Sequence, residues 1–267
     1  MAALWTYGFL QRALVAGVFI GVACAVLGVF LILRKDAMIG HGLSHITFAG
    51  VALGLLVGRM PLLVALAFSV IAALGLVKLR TRAGLHGDTA IAIMSSGGLA
   101  LGIILASVAR SYNAGLLAYL FGEILAIEKA EVWLAVLLAA AVLIAVLGFY
   151  HKLLFATFDR ESARAAGVPV DRLEAALTVL TAVTIVLGMR VVGVLLVSAL
   201  IVIPAAAALQ IAASFRRAVL FSAVIGAASV VLGMMAAYLL DLPASGTIVL
   251  AALALFGGAA ALRPRFI

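Results

Sequence analysis

The chain has 267 residues, 67% of them hydrophobic and 10% charged, with mean hydropathy +1.37. Soluble globular domains are about 45–50% apolar and about 25% charged, so a water-soluble fold is excluded. A formal charge of +8 on so apolar a chain fits Lys and Arg in the cytoplasmic loops of a membrane protein, and no nucleic-acid partner is expected.

A membrane-crossing helix needs about 20 apolar residues. In chain order the sequence offers nine candidate spans, at 8–33, 37–58, 61–78, 90–110, 132–150, 172–190, 191–213, 218–240 and 245–262. The runs are continuous rather than alternating, and backbone groups in lipid must be satisfied internally, so helices are expected and a β-barrel is not. The fold class is an all-α polytopic membrane protein with about eight to nine transmembrane helices. The first apolar run, 13–33, is longer than a signal-peptide core and lacks a small-residue cleavage site, so it reads as a retained span. Cys24 is the only cysteine and lies inside that run, which leaves no intramolecular disulfide and no thiolate cluster; it reads as a small core residue. Leu116–Ile127 is apolar but too short to cross, and reads as a re-entrant or interfacial segment carrying Gly122 and Glu123.

The longest polar stretch, 151–171, sets the orientation. If it is cytoplasmic, thirteen of the 18 basic residues fall inside, among them Arg34, Lys35, Lys78, Arg80, Arg82, Lys152, Arg160, Arg164, Arg216 and Arg217. With nine spans the N-terminus is then outside and the C-terminus inside. Within that stretch, Asp159, Arg160, Glu161 and Arg164 precede Gly167 and Pro169, the pattern of a short amphipathic helix ended by glycine with proline preventing its continuation. It reads either as an ordinary connector or as a docking helix for a cytoplasmic partner. The chain reads as a single transmembrane domain, 1–267. It has no G-x-x-x-x-G-K-[ST] phosphate loop, so any ATP must be used by another subunit; the chain itself is not expected to be an enzyme or to hold a tightly bound cofactor.

The carboxylates all lie in or beside predicted loops, whereas two histidines enter a span. His41 and His45 are four apart in IGHGLSHITFAG, which places both imidazoles on one helix face about one turn apart, within reach of a single ion. Ionisable groups inside a membrane are costly and mark pathways by default. The bland alternative is a pair of polar residues near a helix end, hydrogen-bonded to neighbouring helices. The protease pattern H-E-x-x-H fails because Gly42 stands where the glutamate is needed. Two histidines leave a tetrahedral site short of ligands, and Ser44, Thr47 or another helix are the candidates to complete it.

The stretches MIGHGLSHITFAGVALGLL (38–56), AYLFGEILAI (118–127), MRVVGVLLVSALIVIPAAAA (189–208) and DLPASGTIVLAALALFG (241–257) closely resemble the ZnuB-like permeases of zinc, manganese and iron ABC importers. Together with 157–173 the resemblance covers most of the chain in order. It implies a type II ABC importer-like permease in the cell inner membrane, working as a homodimer by alternating access. It further implies cytoplasmic ATPase subunits and an extracytoplasmic metal-binding protein as partners. The 157–173 segment, with Asp159, Arg160, Glu161, Arg164 and Gly167, would be the coupling helix seated on the ATPase. His45 matches the histidine of the family's D-x-x-x-H pattern, while His41 stands where many relatives carry aspartate. A nitrogen in place of an oxygen ligand suits zinc, with manganese next, as the transported ion. Glu123 and Asp241 are candidate outer-face contacts for cations or the binding protein. Without the resemblance, a secondary transporter or channel using the histidines as a proton relay fits the same residues.

Overall fold

The computed structural model describes residues 8–58, 60–83, 87–109, 119–122, 129–189 and 192–262. Within them the chain forms α1 (Gly8–Leu33), α2 (Ile39–Val57), α3 (Pro61–Ala83), α4 (Gly87–Val108), α5 (Lys129–Gly148), α6 (Tyr150–Phe158), α7 (Arg160–Ala165), α8 (Val170–Gly188), α9 (Val194–Ile211), α10 (Phe215–Leu240) and α11 (Ala244–Ala261). Seven of these, α1 to α5, α10 and α11, are long and apolar enough to cross a membrane. The other two expected spans are present as helices with different character. Asp171, Arg172 and Glu174 occupy the first turns of α8, which shortens its apolar part, and Pro204 lies inside α9.

The bounds shift where charge is tolerated at a helix end. Lys78 and Arg80 do not end α3, which runs on to Ala83: Lys78 is exposed and can carry its charge out of the apolar layer, while Arg80 is paired with Asp36 and Glu174. The polar stretch 151–171, in which one short helix ended by Gly167 was expected, contains that helix as α7 and a second one, α6, before it, and only 166–169 separates α7 from α8. α1 and α2 are the most enclosed of the seven apolar helices, whereas α3, α4, α5 and α11 leave most of their surface outward. Apolar side chains such as Ile71, Ile104, Trp133, Ile144 and Leu250 stand exposed there, as a lipid-facing surface requires. α1 packs on α5, α9 and α10, α9 also on α10 and α11, and α3 on α8, while α2 lies between α3 and α4 with α9 behind it.

The interior has little driving force from water exclusion, so close van der Waals fit must hold the helices together. At Gly28 of α1, a Cβ would lie 1.8 Å from the Ile201 carbonyl oxygen of α9, a backbone contact that only glycine permits. Cys24 beside this crossing is fully buried, as a core residue. Ser222 of α10 donates to the Ala25 carbonyl at 2.6 Å, a cross-helix bond that satisfies a buried hydroxyl. Gly28→Ala is expected to overpack the α1–α9 crossing at a cost of about 1–3 kcal/mol, read as a lowered unfolding temperature of the detergent-solubilised protein; an unchanged melting curve would contradict the packing.

Candidate functional site

α2 is fixed on three of its faces. A Cβ on Gly42 would meet Ile91 Cγ2 of α4 at 2.6 Å, and one on Gly54 would meet Pro61 Cα of α3 at 2.7 Å. Gly40 faces Ile201 and Ser198 of α9, with the nearest atom 3.3 Å from its would-be Cβ. At about 100° per residue these contacts occupy all but one arc of the helix. That arc carries His41 and His45, and His41 is the one exposed residue between Ile39 and Leu55.

The two imidazoles meet edge to face, with ring centroids 4.7 Å apart, and their Nε2 atoms are 3.2 Å apart. Two nitrogens at about 2.0–2.1 Å from a tetrahedral zinc lie about 3.3 Å apart, so the pair already has the separation of a two-nitrogen clamp. Right-angle coordination at similar bond lengths needs roughly 3 Å, so this distance does not select a geometry. Nδ1 of His45 is buried with no hydrogen-bond partner among the described residues, so none of the described helices holds the ring through that nitrogen.

The helix does not complete the site from its own hydroxyls, contrary to one expectation from the sequence. Ser44 donates to the Gly40 carbonyl at 2.9 Å, and Thr47 pairs with Ser69 of α3 at 2.8 Å. Both are buried on the packed side of α2, because three and six residues from His41 the helix has turned them inward. Among the described residues no group of three or more His, Cys, Asp or Glu side chains gathers.

The 157–173 segment folds much as its pattern dictates. Asp159 is the N-cap of α7, accepting from the Ser162 amide at 2.9 Å. Those bonds, from the Ser162 side chain first and its backbone next, hold the Asp159 carboxyl below the ordinary carboxylate range. A depressed carboxylate stabilises the fold above its unfolded-state value and loses that contribution only as pH falls through the folded one, so the cap persists into mild acid. Gly167 closes the helix at φ 79, with Gly167 N–H donating to the Arg164 carbonyl at 3.0 Å and Val168 N–H to Ala163 at 2.9 Å. Those two bonds make a Schellman motif, whose left-handed residue favours glycine. Arg164 pairs with Asp171 and Arg160 with Glu174, across the turn to α8, and Glu161 is exposed in the first turn of α7. α6 is seated by an aromatic cluster in which Tyr150, Phe158 and Phe30 of α1 surround Phe215 of α10 at 5.2–6.0 Å.

A further polar cluster escaped the sequence reading. Arg34, Asp36, Arg80 and Glu174 converge from the end of α1, the turn after it, the end of α3 and the start of α8. Each looks like a loop or helix-end charge when read singly; a single polar residue on the inner side of a helix start, such as Glu174, is the only signal the sequence offers. The cluster, α7 and Phe215 beside Arg216 and Arg217 mark one end of the bundle, where basic residues concentrate. Asp241 lies at the other end, exposed and left-handed at φ 52 as the C-cap of α10. Glu123 lies outside the described residues. Of its segment, 119–122 is described, and it packs on the start of α9, where a Cβ on Gly193 would lie 2.3 Å from the Leu120 carbonyl oxygen.

A bundle of membrane-length helices, with its charge gathered at one end and a histidine pair on the one open arc of a buried helix, is built as a multi-pass permease. Residues 6–262 match the profile of the ABC 3 transport family, and the chain belongs to that family. It is 33% identical to the manganese transport system membrane protein MntC of Listeria innocua over 95% of this chain and 90% of that one. It is 35% identical to the manganese import system permease protein ScaB of Streptococcus gordonii, over 95% and 91%. The solved structure of PsaBC from Streptococcus pneumoniae in complex with Fab is similar at TM-score 0.89 and 34% identity, covering 99% of this chain and 95% of that one. The chain is therefore a multi-pass permease of the metal-importing ABC class, in the cell membrane, with the fold expected from its sequence. Membership of this family separates it from the secondary transporters and channels that the histidines alone left open.

Asp159→Ala is expected to fray α7, raising amide hydrogen exchange across 160–165, while Asp159→Asn keeps the cap and the protection. Equal exchange in both variants would remove the capping role.

Proposed function

We propose that the chain passes a divalent transition metal into the cytoplasm through a path lined by His41 and His45, as one of two copies in an importer driven by separate ATPase subunits. The observation that carries this is the 3.2 Å approach of the two Nε2 atoms on the open arc of a helix otherwise enclosed. Lipid is a poor neighbour for an imidazole, so the exposed His41 belongs against water or protein. A second copy of the chain, facing the same arc, would bring its own pair and supply the ligands that one chain lacks. An extracytoplasmic metal-binding protein delivers the ion to the end that carries Asp241, with Glu123 as the companion contact there. The 157–173 segment, with Asp159, Arg160, Glu161, Arg164 and Gly167, is the seat of the ATPase at the opposite end.

Manganese is the cargo we assign, on the strength of the relatives named for manganese transport. Zinc, favoured by the sequence reading, keeps one specific support, that both side chains are imidazoles and nitrogen suits zinc better than it suits manganese. His45→Ala removes one of the two nitrogens without leaving a buried charge. It should therefore lower uptake of radiolabelled manganese at least ten-fold in complexes that still assemble; wild-type uptake would remove the pair from the path. His41→Asp exchanges a nitrogen for a harder oxygen and should raise the manganese-to-zinc uptake ratio, with rates normalised to assembled protein because a carboxylate in a span carries a desolvation cost. With the binding protein held constant, a ratio equal to wild type would mean that this position has no part in choosing the ion.

A further inference from the structure

The charged cluster at the basic end of the bundle has an internal arithmetic. Arg34 and Arg80 leave 4% and 11% of their side chains exposed, and Asp36 and Glu174 leave 13% and 14%. Two guanidiniums and two carboxylates cancel, which is the condition for burying them together. Arg160 enters from α7 as a fifth member, 49% exposed, with Nη2 at 2.5 Å from Glu174 Oε2. It is surplus to the balance of charge, so what it adds is a connection.

The bonding of Glu174 is uneven. Its carboxylate is close to Arg160 but stands 3.4 Å from Arg34 Nη2 and 3.6 Å from Arg80 Nη1. Among the described residues, both Nη atoms of Arg34, and Nε and Nη2 of Arg80, are buried without a hydrogen-bond partner. Buried donors left unmade are costly. They are also the groups that could take up the Glu174 carboxylate if Arg160 withdrew, so two sets of partners surround one acceptor. Asp36 holds Arg80 at 2.9 Å in the present set.

From this geometry, and resting on the reading of 157–173 as the ATPase seat, we infer that Glu174 is a positioning residue that exchanges between Arg160 and the Arg34–Arg80 pair and so relays displacement of α7 to the ends of α1 and α3. The relay has a route to the histidines. Arg80 belongs to α3, and α3 is joined to α2 by the Thr47–Ser69 bond and by contacts at Gly50 and Gly54, where a Cβ would lie within 2.9 Å of α3 backbone. Two helices meeting that closely move together. His41 and His45 sit in the first two turns of α2, at the same end of the bundle as the cluster. Among the described residues, the ion pairs that join α7 to α1 and α3 all pass through Glu174. A discrete exchange of partners by a buried charge gives the two-state element that coupling between distant sites requires.

The test uses the full importer in proteoliposomes and reads manganese moved per ATP hydrolysed, with co-purification of the ATPase as a parallel measurement. Glu174→Gln is expected to lower the ratio at least five-fold, and Glu174→Asp to recover a large part of it. Should Glu174→Gln fail to fold, Arg160→Gln leaves the four buried charges balanced and is expected to lower the ratio similarly, with Arg160→Lys restoring it. A wild-type ratio in Glu174→Gln or in Arg160→Gln overturns the relay. So does an Arg160→Gln protein that folds but no longer retains its ATPase, because Arg160 would then be a docking contact alone. Cross-linking of Glu161→Cys to the ATPase checks the seat itself: no cross-link means that the reading of 157–173 has failed, whereas a cross-link together with a wild-type ratio means that only the relay has.

Discussion

The architecture turns on how tightly α2 is held. Glycines at 42 and 54 let α4 and α3 approach to distances that leave no space for a side chain, and Gly40 sits in tight contact with Ile201 and Ser198 of α9. Because three faces are closed in this way, the arc that remains open is fixed in direction, and so are the two imidazoles on it. Larger residues at the glycines would loosen α2 and let His41 and His45 turn with it. In lipid, where apolar burial supplies little force between helices, such close contacts are the available means of fixing the direction of a side chain.

The same constraint explains the division of labour among the other helices. α3 and α4 serve as the cradle of α2 on one side and as lipid-facing surface on the other, which accounts for their outward apolar residues. α1, α9 and α10 form a second close-packed group through Gly28 and Ser222. The charged cluster lies where α1, α3 and α8 meet, so it is the place where both groups and the segment carrying α7 are tied together. Burial of four charges at that junction is costly unless the helices keep their relative positions, and it therefore fixes the bundle end as firmly as the glycines fix its middle.

Much of this was legible in the sequence. Continuous apolar runs gave the helices because a helix is the spanning structure that satisfies its own backbone in lipid, and Gly167 with Pro169 after it acts locally, so that pattern sufficed to end α7; the N-cap role of Asp159 emerged only from the structure. The histidine pair was legible for the same reason, since an i, i+4 spacing fixes a shared face without knowledge of the fold. What could not be read were pairings between elements far apart in the chain. Arg34, Arg80 and Glu174 are separated by spans, and nothing in the local pattern of any one of them points to the others. Ser44 and Thr47 failed as extra ligands because their inward direction depends on which face α3 covers, a fact that belongs to packing alone.

One atom of the site has a further meaning. For an ion held between the two Nε2 atoms, each ring must carry its proton on Nδ1, yet among the described residues Nδ1 of His45 has no hydrogen-bond partner. Histidines in long-lived metal centres pass that proton toward a carboxylate, carbonyl or water, which raises their basicity and locks the ring. Without such support an imidazole is a poorer electron donor and its plane is less restrained, so a bond it made to an ion would be short-lived. A path of the kind proposed would then trade strength of grip for speed of exchange, and its natural measure would be the dwell time of each ion rather than an affinity.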